Sequence, residues 1–132
     1  MNITRTTAAN SKRGPANYFT GTVWLDDIAA PAVSAVRVVR VTFEPRARTA
    51  WHTHPHDQTL HILAGICRVQ RAGGPVEELL PGDTVWFDPG ERHWHGAAPG
   101  NLMVHLAVQQ CDASGSAATW AEHVTEAEYE GR

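Results

Sequence analysis

The chain has 132 residues, of which 42% are hydrophobic and 19% charged, so it is long enough for one domain with a single core and short for two. Its formal net charge is −3 at pH 7 and no run of Lys or Arg exceeds two residues, which excludes the basic surface that nucleic acid or an anionic membrane would require. No apolar run is long enough to span a bilayer.

Strand-like runs follow one another along most of the chain. Residues 1–17 are polar and end in Gly14-Pro15, which predicts a loose N-terminal arm, with or without a short first strand, before a domain of residues 18–132. Within that domain, strands are predicted at about 19–25, 36–44, 49–54, 58–63, 65–71, 76–80, 83–87, 93–95 and 102–110. Turn residues separate them, including Asp26-Asp27 after the first run. Many short strands at this spacing predict a single all-β domain, either a sandwich or a barrel.

A short helix is predicted near the C-terminus. Thr125-Glu126-Ala127-Glu128 matches a capping box, in which the Thr125 hydroxyl accepts a hydrogen bond from the Glu128 amide while the Glu128 side chain reaches back. Glu126 and Glu128 also fall in the first turn, where the helix dipole favours negative charge.

Alternation along three strands predicts which side chains face the interior. The predicted inward sets are Val39, Val41 and Phe43 on one strand and Gln58, Leu60 and Ile62 on another. The strand at 102–110 carries apolar residues on both faces, which predicts that both faces are buried. Two registers remain open for it: one turns Met103, His105, Ala107 and Gln109 inward, and the other turns Leu102, Val104, Leu106 and Val108 inward.

Histidines cluster in two segments that are about forty residues apart. His52 and His54 are two residues apart on a strand, so both imidazoles leave the same face. Gln58 follows after a turn, and His93 arrives from a separate hairpin. Three imidazoles and one neutral oxygen donor can converge on a divalent cation. The ligand types admit Mn²⁺, Fe²⁺, Zn²⁺, Ni²⁺ and Cu²⁺ without selecting one.

These residues resemble the cupin superfamily. Its first motif, G-x5-H-x-H-x3,4-E-x6-G, is matched by His52, His54, Gln58 and Gly65, and its second, G-x5-P-x-G-x2-H-x3-N, by Gly82, Gly90 and His93. The chain departs from these patterns at four positions: Gln58 replaces Glu, Arg46 replaces the first Gly, Asp88 replaces Pro and Ala97 replaces Asn. The resemblance implies a cupin β-barrel of the jelly-roll type, with a turn at Arg46 that must avoid positive φ or tolerate strain.

A closer resemblance covers nearly the whole chain. Segments 14–16, 18–23, 47–55, 58–60, 85–87, 93–99 and 122–125 are similar to the small bacterial manganese cupins with (R)-selective hydroxynitrile lyase activity. The resemblance implies one Mn²⁺ per chain, held by His52, His54, Gln58 and His93. It also implies a pocket formed by Val39, Val41, Thr49, His95, His105 and Gln109, and assembly as a homodimer or homotetramer.

The expected activity is that of a metal-dependent carbon–carbon lyase acting on a small molecule. The resemblance implies reversible cleavage of an aromatic cyanohydrin, of the mandelonitrile type, to an aldehyde and HCN. Neutral ligands leave the full charge on the divalent ion, which favours a Lewis-acid role. His105 and His95 are the candidate bases, because neutral imidazole suits proton transfer near pH 7. Thr49 is the candidate that holds the substrate oxygen.

Two other functions are compatible with the same ligands. An iron, nickel or copper ion in a histidine-rich site could support a dioxygenase acting on a catechol- or flavonol-like substrate, and a cupin can also bind metal or ligand without catalysis. A cytoplasmic location is expected, because the N-terminal residues lack the apolar core of a secretion signal. Cys67 and Cys111 are accordingly predicted to be buried free thiols.

Overall fold

The computed structural model describes residues 1–5 and 10–132, so part of the predicted arm, residues 6–9, lies outside the described residues. The described residues form thirteen strands and one helix. These are β1 (Lys12–Arg13), β2 (Phe19–Thr20), β3 (Val23–Ala29), β4 (Val36–Phe43), β5 (Arg48–Thr49), β6 (His52–Thr53), β7 (Gln58–Gly65), β8 (Cys67–Arg71), β9 (Glu77–Leu79), β10 (Thr84–Phe87), β11 (His93–Ala97), β12 (Met103–Gln110), β13 (Thr119–Trp120) and α1 (Glu126–Tyr129). Within these ranges no helix has the length and hydropathy that a membrane crossing needs.

Two antiparallel sheets enclose one core. The first has the order β1-β3-β4-β12-β7-β10, and the second has the order β13-β6-β11-β5-β2, with β8 pairing to both β11 and β9. Side chains from both sheets meet between them, including Phe43, Leu60 and Met103 from the first and Cys67 and Val69 from the second. This arrangement confirms the prediction of an all-β barrel of the jelly-roll type with a short C-terminal helix.

The first predicted strand, 19–25, is wrong in two respects. Gly21 has φ 77° and interrupts the strand between β2 and β3. Beyond the break, β3 continues through Asp26 and Asp27, which were predicted to form a turn. Their register partners on β4 are Arg40 and Val39, and Asp26 also forms an ion pair with Arg40 at 3.5 Å. Pairing with a neighbouring strand therefore overrides the local turn preference of the two aspartates.

The central strand β12 adopts the first of its two open registers. Met103, His105 and Ala107 are buried and face the core. The prediction that both faces are buried is wrong, because Val108 on the outer face is 39% exposed. The buried inward-facing residues of β12 are therefore two apolar residues and one histidine. Gln109, the next residue on the same face, lines an internal cavity.

The C-terminal segment packs on the outside of the second sheet. Its predicted capping box is confirmed: Thr125 Oγ1 accepts from the Glu128 amide at 3.2 Å, and Glu128 Oε2 accepts from the Thr125 amide at 2.8 Å. Val124 and Tyr129 form a second apolar cluster with Trp51 and Trp94. This cluster backs the strands that carry the histidines.

Arg46 takes the strained alternative at the turn where the cupin motif has Gly. Its φ is 70°, in the left-handed region that disfavours a side chain. Its amide donates to Ala98 O at 3.2 Å, and its guanidinium lies 2.6 Å from Glu126 and 3.6 Å from Glu130. Contacts with the C-terminal segment thus accompany the backbone strain.

Candidate metal centre

Neighbouring strands of the second sheet bring the histidines together. His52 on β6 and His93 on β11 are register partners, which places their imidazoles side by side. The rings of His52 and His93 are 4.4 Å apart, and the ring of His54 lies 5.0 Å from His52 and 5.3 Å from His93. All three side chains are buried. The two segments that are distant in sequence thus converge at one position inside the barrel.

Each of these three histidines has Nδ1 directed at a backbone carbonyl. The distances are 2.9 Å from His52 to Ala50 O, 2.6 Å from His54 to Ala117 O and 2.8 Å from His93 to Glu91 O. A carbonyl only accepts, so Nδ1 carries the proton and Nε2 keeps a lone pair. Histidines that bind metals are held in this manner, because the outer hydrogen bond fixes both the tautomer and the ring orientation.

Gln58 adds an oxygen donor beside His93. Gln58 Oε1 lies 3.0 Å from His93 Nε2, while Gln58 Nε2 donates to Gln109 Oε1 at 2.6 Å. Two acceptors therefore face each other, which is favourable only when positive charge lies between them. A proton on His93 Nε2 does not supply this charge near pH 7, since burial lowers the pKa of His93 to about 4. A metal cation suits the position, because bonds of about 2.0–2.2 Å at a right angle put neighbouring donors about 3 Å apart.

Three buried ring nitrogens have no hydrogen-bond partner within residues 1–5 and 10–132: His54 Nε2, His95 Nε2 and His105 Nδ1. His95 is two residues beyond His93 on β11, so the two side chains leave the same face of the strand. The ring nitrogens of His52, His93 and His95 lie within 4.8 Å of one another, which makes these three a group that could hold a metal ion. His54 lies outside this closest group, and His95 was predicted from the sequence as a pocket residue rather than a ligand.

His95 and His105 form a buried pair. His105 Nε2 is 3.1 Å from His95 Nδ1, so one of the two rings donates to the other. The backbone N–H of His95 donates to Thr49 Oγ1 at 3.2 Å. Burial lowers the pKa of His105 to about 4. Burial also lowers the pKa of His95 well below its usual value, with a smaller contribution from the neighbouring histidines. Both rings are therefore neutral at pH 7 in the metal-free protein, and each has a nitrogen without a partner.

A cavity of about 560 Å³ opens beside the histidines. This volume suits a small organic molecule. The residues implied by the resemblance all line it: Val39, Val41, Thr49, His95, His105 and Gln109. Trp120, which stacks on Tyr18 with ring centroids 4.5 Å apart, also lines it. Sequence reasoning missed this aromatic wall, because the two-residue strand that carries Trp120 has no alternation pattern and is defined only by its pairing with β6.

Comparison with known proteins identifies the class. The model of the cupin domain matches residues 39–108, and the chain belongs to the cupin family. The chain is 55% identical over 130 residues, covering 98% of each chain, to the (R)-mandelonitrile lyase of Granulicella tundricola. A cupin-like protein of Thermotoga maritima has a similar structure, with 38% identity, a TM-score of 0.84 and coverage of 89% of this chain and 90% of that chain. The polyketide cyclase RemF of Streptomyces resistomycificus, at 18% identity, shares the fold alone, with a TM-score of 0.76 and coverage of 98% and 91%.

Proposed function

We propose that this cupin is a metal-dependent hydroxynitrile lyase that reversibly cleaves an aromatic cyanohydrin of the mandelonitrile type to an aldehyde and HCN. The observation that carries the proposal is a set of three imidazoles, each hydrogen-bonded through Nδ1 to a backbone carbonyl, and one amide oxygen, which converge beside a cavity lined by aromatic side chains. The near full-length similarity to a mandelonitrile lyase supports the reaction class.

In this proposal His52, His54, Gln58 and His93 hold one divalent cation, which the resemblance suggests to be Mn²⁺. The hydrogen bonds from Nδ1 to backbone carbonyls favour this set of ligands over one that contains His95, because His95 Nδ1 faces another imidazole instead of a carbonyl. All four donors are neutral. A bound divalent cation would supply Lewis acidity that stabilises negative charge developing on the aldehyde oxygen.

The residues of the chain handle the proton and the substrate ring. An unpartnered nitrogen of the His95–His105 pair accepts the proton of the substrate hydroxyl. The bond between the carbinol carbon and the nitrile carbon then breaks, its electron pair leaves with cyanide, and the imidazolium returns the proton to give HCN. Because Thr49 Oγ1 accepts from the His95 amide, its own hydrogen remains available to donate to the substrate oxygen. The wall around Trp120 packs against the aromatic ring.

Metal analysis and a synthesis assay test the proposal. Protein expressed with manganese should contain close to one equivalent per chain, and His52→Ala should lose it; unchanged occupancy would contradict the ligand assignment.

The manganese-loaded protein, given benzaldehyde and cyanide at mildly acidic pH, should form a cyanohydrin with an excess of one enantiomer, as measured by chiral chromatography. Racemic product at the background rate would contradict the lyase assignment, and oxygen uptake with a catechol on the iron form would then favour a dioxygenase.

We further propose that the protein functions in the cytoplasm as a homo-oligomer. Both cysteines, Cys67 and Cys111, are free and buried, as predicted from the sequence and as suits a reducing compartment. Among residues 1–5 and 10–132, the first sheet ends at β10 with no strand paired to its outer edge, where Trp86 is 59% exposed. An open edge with an exposed large apolar side chain is a physical reason for pairing with a second copy.

A further inference from the structure

We infer that Gln109 is a positioning residue for the metal centre: by accepting a hydrogen bond from Gln58 Nε2, it holds Gln58 Oε1 towards the cation. This inference rests on the proposed metal site. The resemblance placed Gln109 only among the residues of the substrate pocket. Its hydrogen bond to a ligand gives it a second role that does not involve substrate.

The two amides meet because their strands are paired in register. Gln109 on β12 and Gln58 on β7 are direct partners across the first sheet, so their side chains leave the same face. Gln58 is 3% exposed, and its Nε2 lies 2.6 Å from Gln109 Oε1. The two ends of a carboxamide are nearly equal in size, so hydrogen bonding decides which end faces the cation.

Gln58 has a competing orientation. His93 donates through Nδ1 to Glu91 O, which leaves a lone pair on its Nε2. If the Gln58 amide turned over, its Nε2 would donate to that lone pair and its Oε1 would accept from an equally turned Gln109 amide. Without a cation this second arrangement satisfies His93, whereas the first presents an oxygen to the metal. The two amides therefore form a coupled pair, and Gln58 presents its oxygen to the cation in the arrangement in which Gln109 Oε1 accepts from Gln58 Nε2.

The departure from the cupin motif explains why a partner is needed. A Glu at position 58 would present an oxygen whichever way its carboxylate turned. Gln58 presents either an oxygen or an NH₂ group, and only the oxygen can bind a cation. The replacement of Glu by Gln thus makes the ligand depend on a neighbour that accepts a hydrogen bond from its NH₂ group, and Gln109 is that neighbour.

Metal affinity measured without substrate tests the inference. Titration of metal-free protein with Mn²⁺ against a chelating dye should show Gln109→Leu binding about 10–100-fold more weakly than the wild type. Gln109→Glu, which can only accept, should bind at least as tightly as the wild type. Gln110→Leu is the matched control, because this exposed neighbour on the same strand points away from Gln58 and should leave affinity unchanged.

A double-mutant cycle separates positioning from a general disturbance of the cavity. In the Gln58→Glu background, Gln109→Leu should change affinity by no more than about twofold, since either carboxylate oxygen can face the cation. Equal losses in both backgrounds, or unchanged affinity of Gln109→Leu, would overturn the inference. Gln109→Met replaces Gln109→Leu if circular dichroism shows that the latter does not fold. A wild type that binds no Mn²⁺ would overturn the metal site as well, whereas a normal wild type with an unaffected Gln109→Leu overturns only the role of Gln109.

Discussion

The buried histidines should make the metal-free protein sensitive to mild acid. Burial lowers the pKa of all five histidines at the candidate site: His52, His54, His93, His95 and His105. In the unfolded chain these side chains take up protons near their ordinary pKa of about 6.5. The folded protein does not bind these protons until lower pH, so the unfolded state binds more protons between about pH 6.5 and pH 4. Stability is therefore fully present above this window and is lost as the pH falls through it.

The size of this loss of stability follows from the pKa values of His93 and His105. A shift from 6.5 to about 4 for His93 and His105 makes each contribute roughly 3 kcal/mol to stability above the window, at about 1.4 kcal/mol per pKa unit. Together they account for about 6 kcal/mol, which is comparable with the 5–15 kcal/mol that stabilises a typical domain. The other three histidines act in the same direction. Acid should therefore unfold the metal-free protein before its carboxylates are protonated.

Urea denaturation of chelator-treated protein, followed by tryptophan fluorescence from about pH 7.5 to about pH 5, measures this effect. The free energy of unfolding should fall with a slope of about 3 kcal/mol per pH unit or more near pH 5, which corresponds to at least two protons taken up on unfolding. His105→Leu should remove about one of these protons, and excess Mn²⁺ should move the loss to lower pH because bound ligands stay unprotonated. A free energy that stays flat between about pH 7 and pH 5 would refute the reasoning.

The structure supports four further predictions. His54→Ala should abolish stoichiometric Mn²⁺ content while His95→Ala retains it, as measured by elemental analysis; the reverse result would move the ligand set to the group that includes His95. Arg46→Gly should be more stable than Arg46→Ala by about 1 kcal/mol in thermal unfolding, because both lose the ion pairs and only glycine relieves the positive φ. Gly65→Ala should destabilise by more than about 3 kcal/mol, since its φ is 76° and a Cβ would lie 1.7 Å from a main-chain oxygen. Light scattering should give the mass of a dimer or tetramer, and Trp86→Lys should reduce it; a wild-type monomer would contradict self-association through this edge.

The strands and the histidine cluster could be predicted from the sequence because the patterns that indicate them involve residues close together in the chain. His52 and His54 are two residues apart, and alternation at Val41 and Phe43 marks the inner face of β4 without any knowledge of its partners. The contact between His95 and His105 could not be predicted from the sequence, because it depends on how the two sheets face each other across the core.

Features decided by distant partners were missed or mispredicted. Trp120 lies on a strand of two residues that exists only because Thr119 and Trp120 pair with β6. Asp26 carries a turn-forming side chain, yet it extends a strand because Arg40 lies opposite and forms an ion pair with it. In both cases the element was set by a neighbour more than ten positions away in the chain.

The alternation that turns His93 and His95 inward also ties the candidate metal centre to the C-terminal segment. On β11, His93 and His95 point to the interior of the barrel, while Trp94 between them packs outward, with its ring centroid 5.8 Å from that of Tyr129. Tyr129 Oη in turn donates to the backbone oxygen of Ala97, at the end of the same strand, at 2.7 Å. A strand that is packed on one face and hydrogen-bonded at its end cannot shift without breaking these contacts. Because metal geometry tolerates only small displacements, the outer cluster determines how accurately the inner histidines are placed, although none of its side chains lines the cavity.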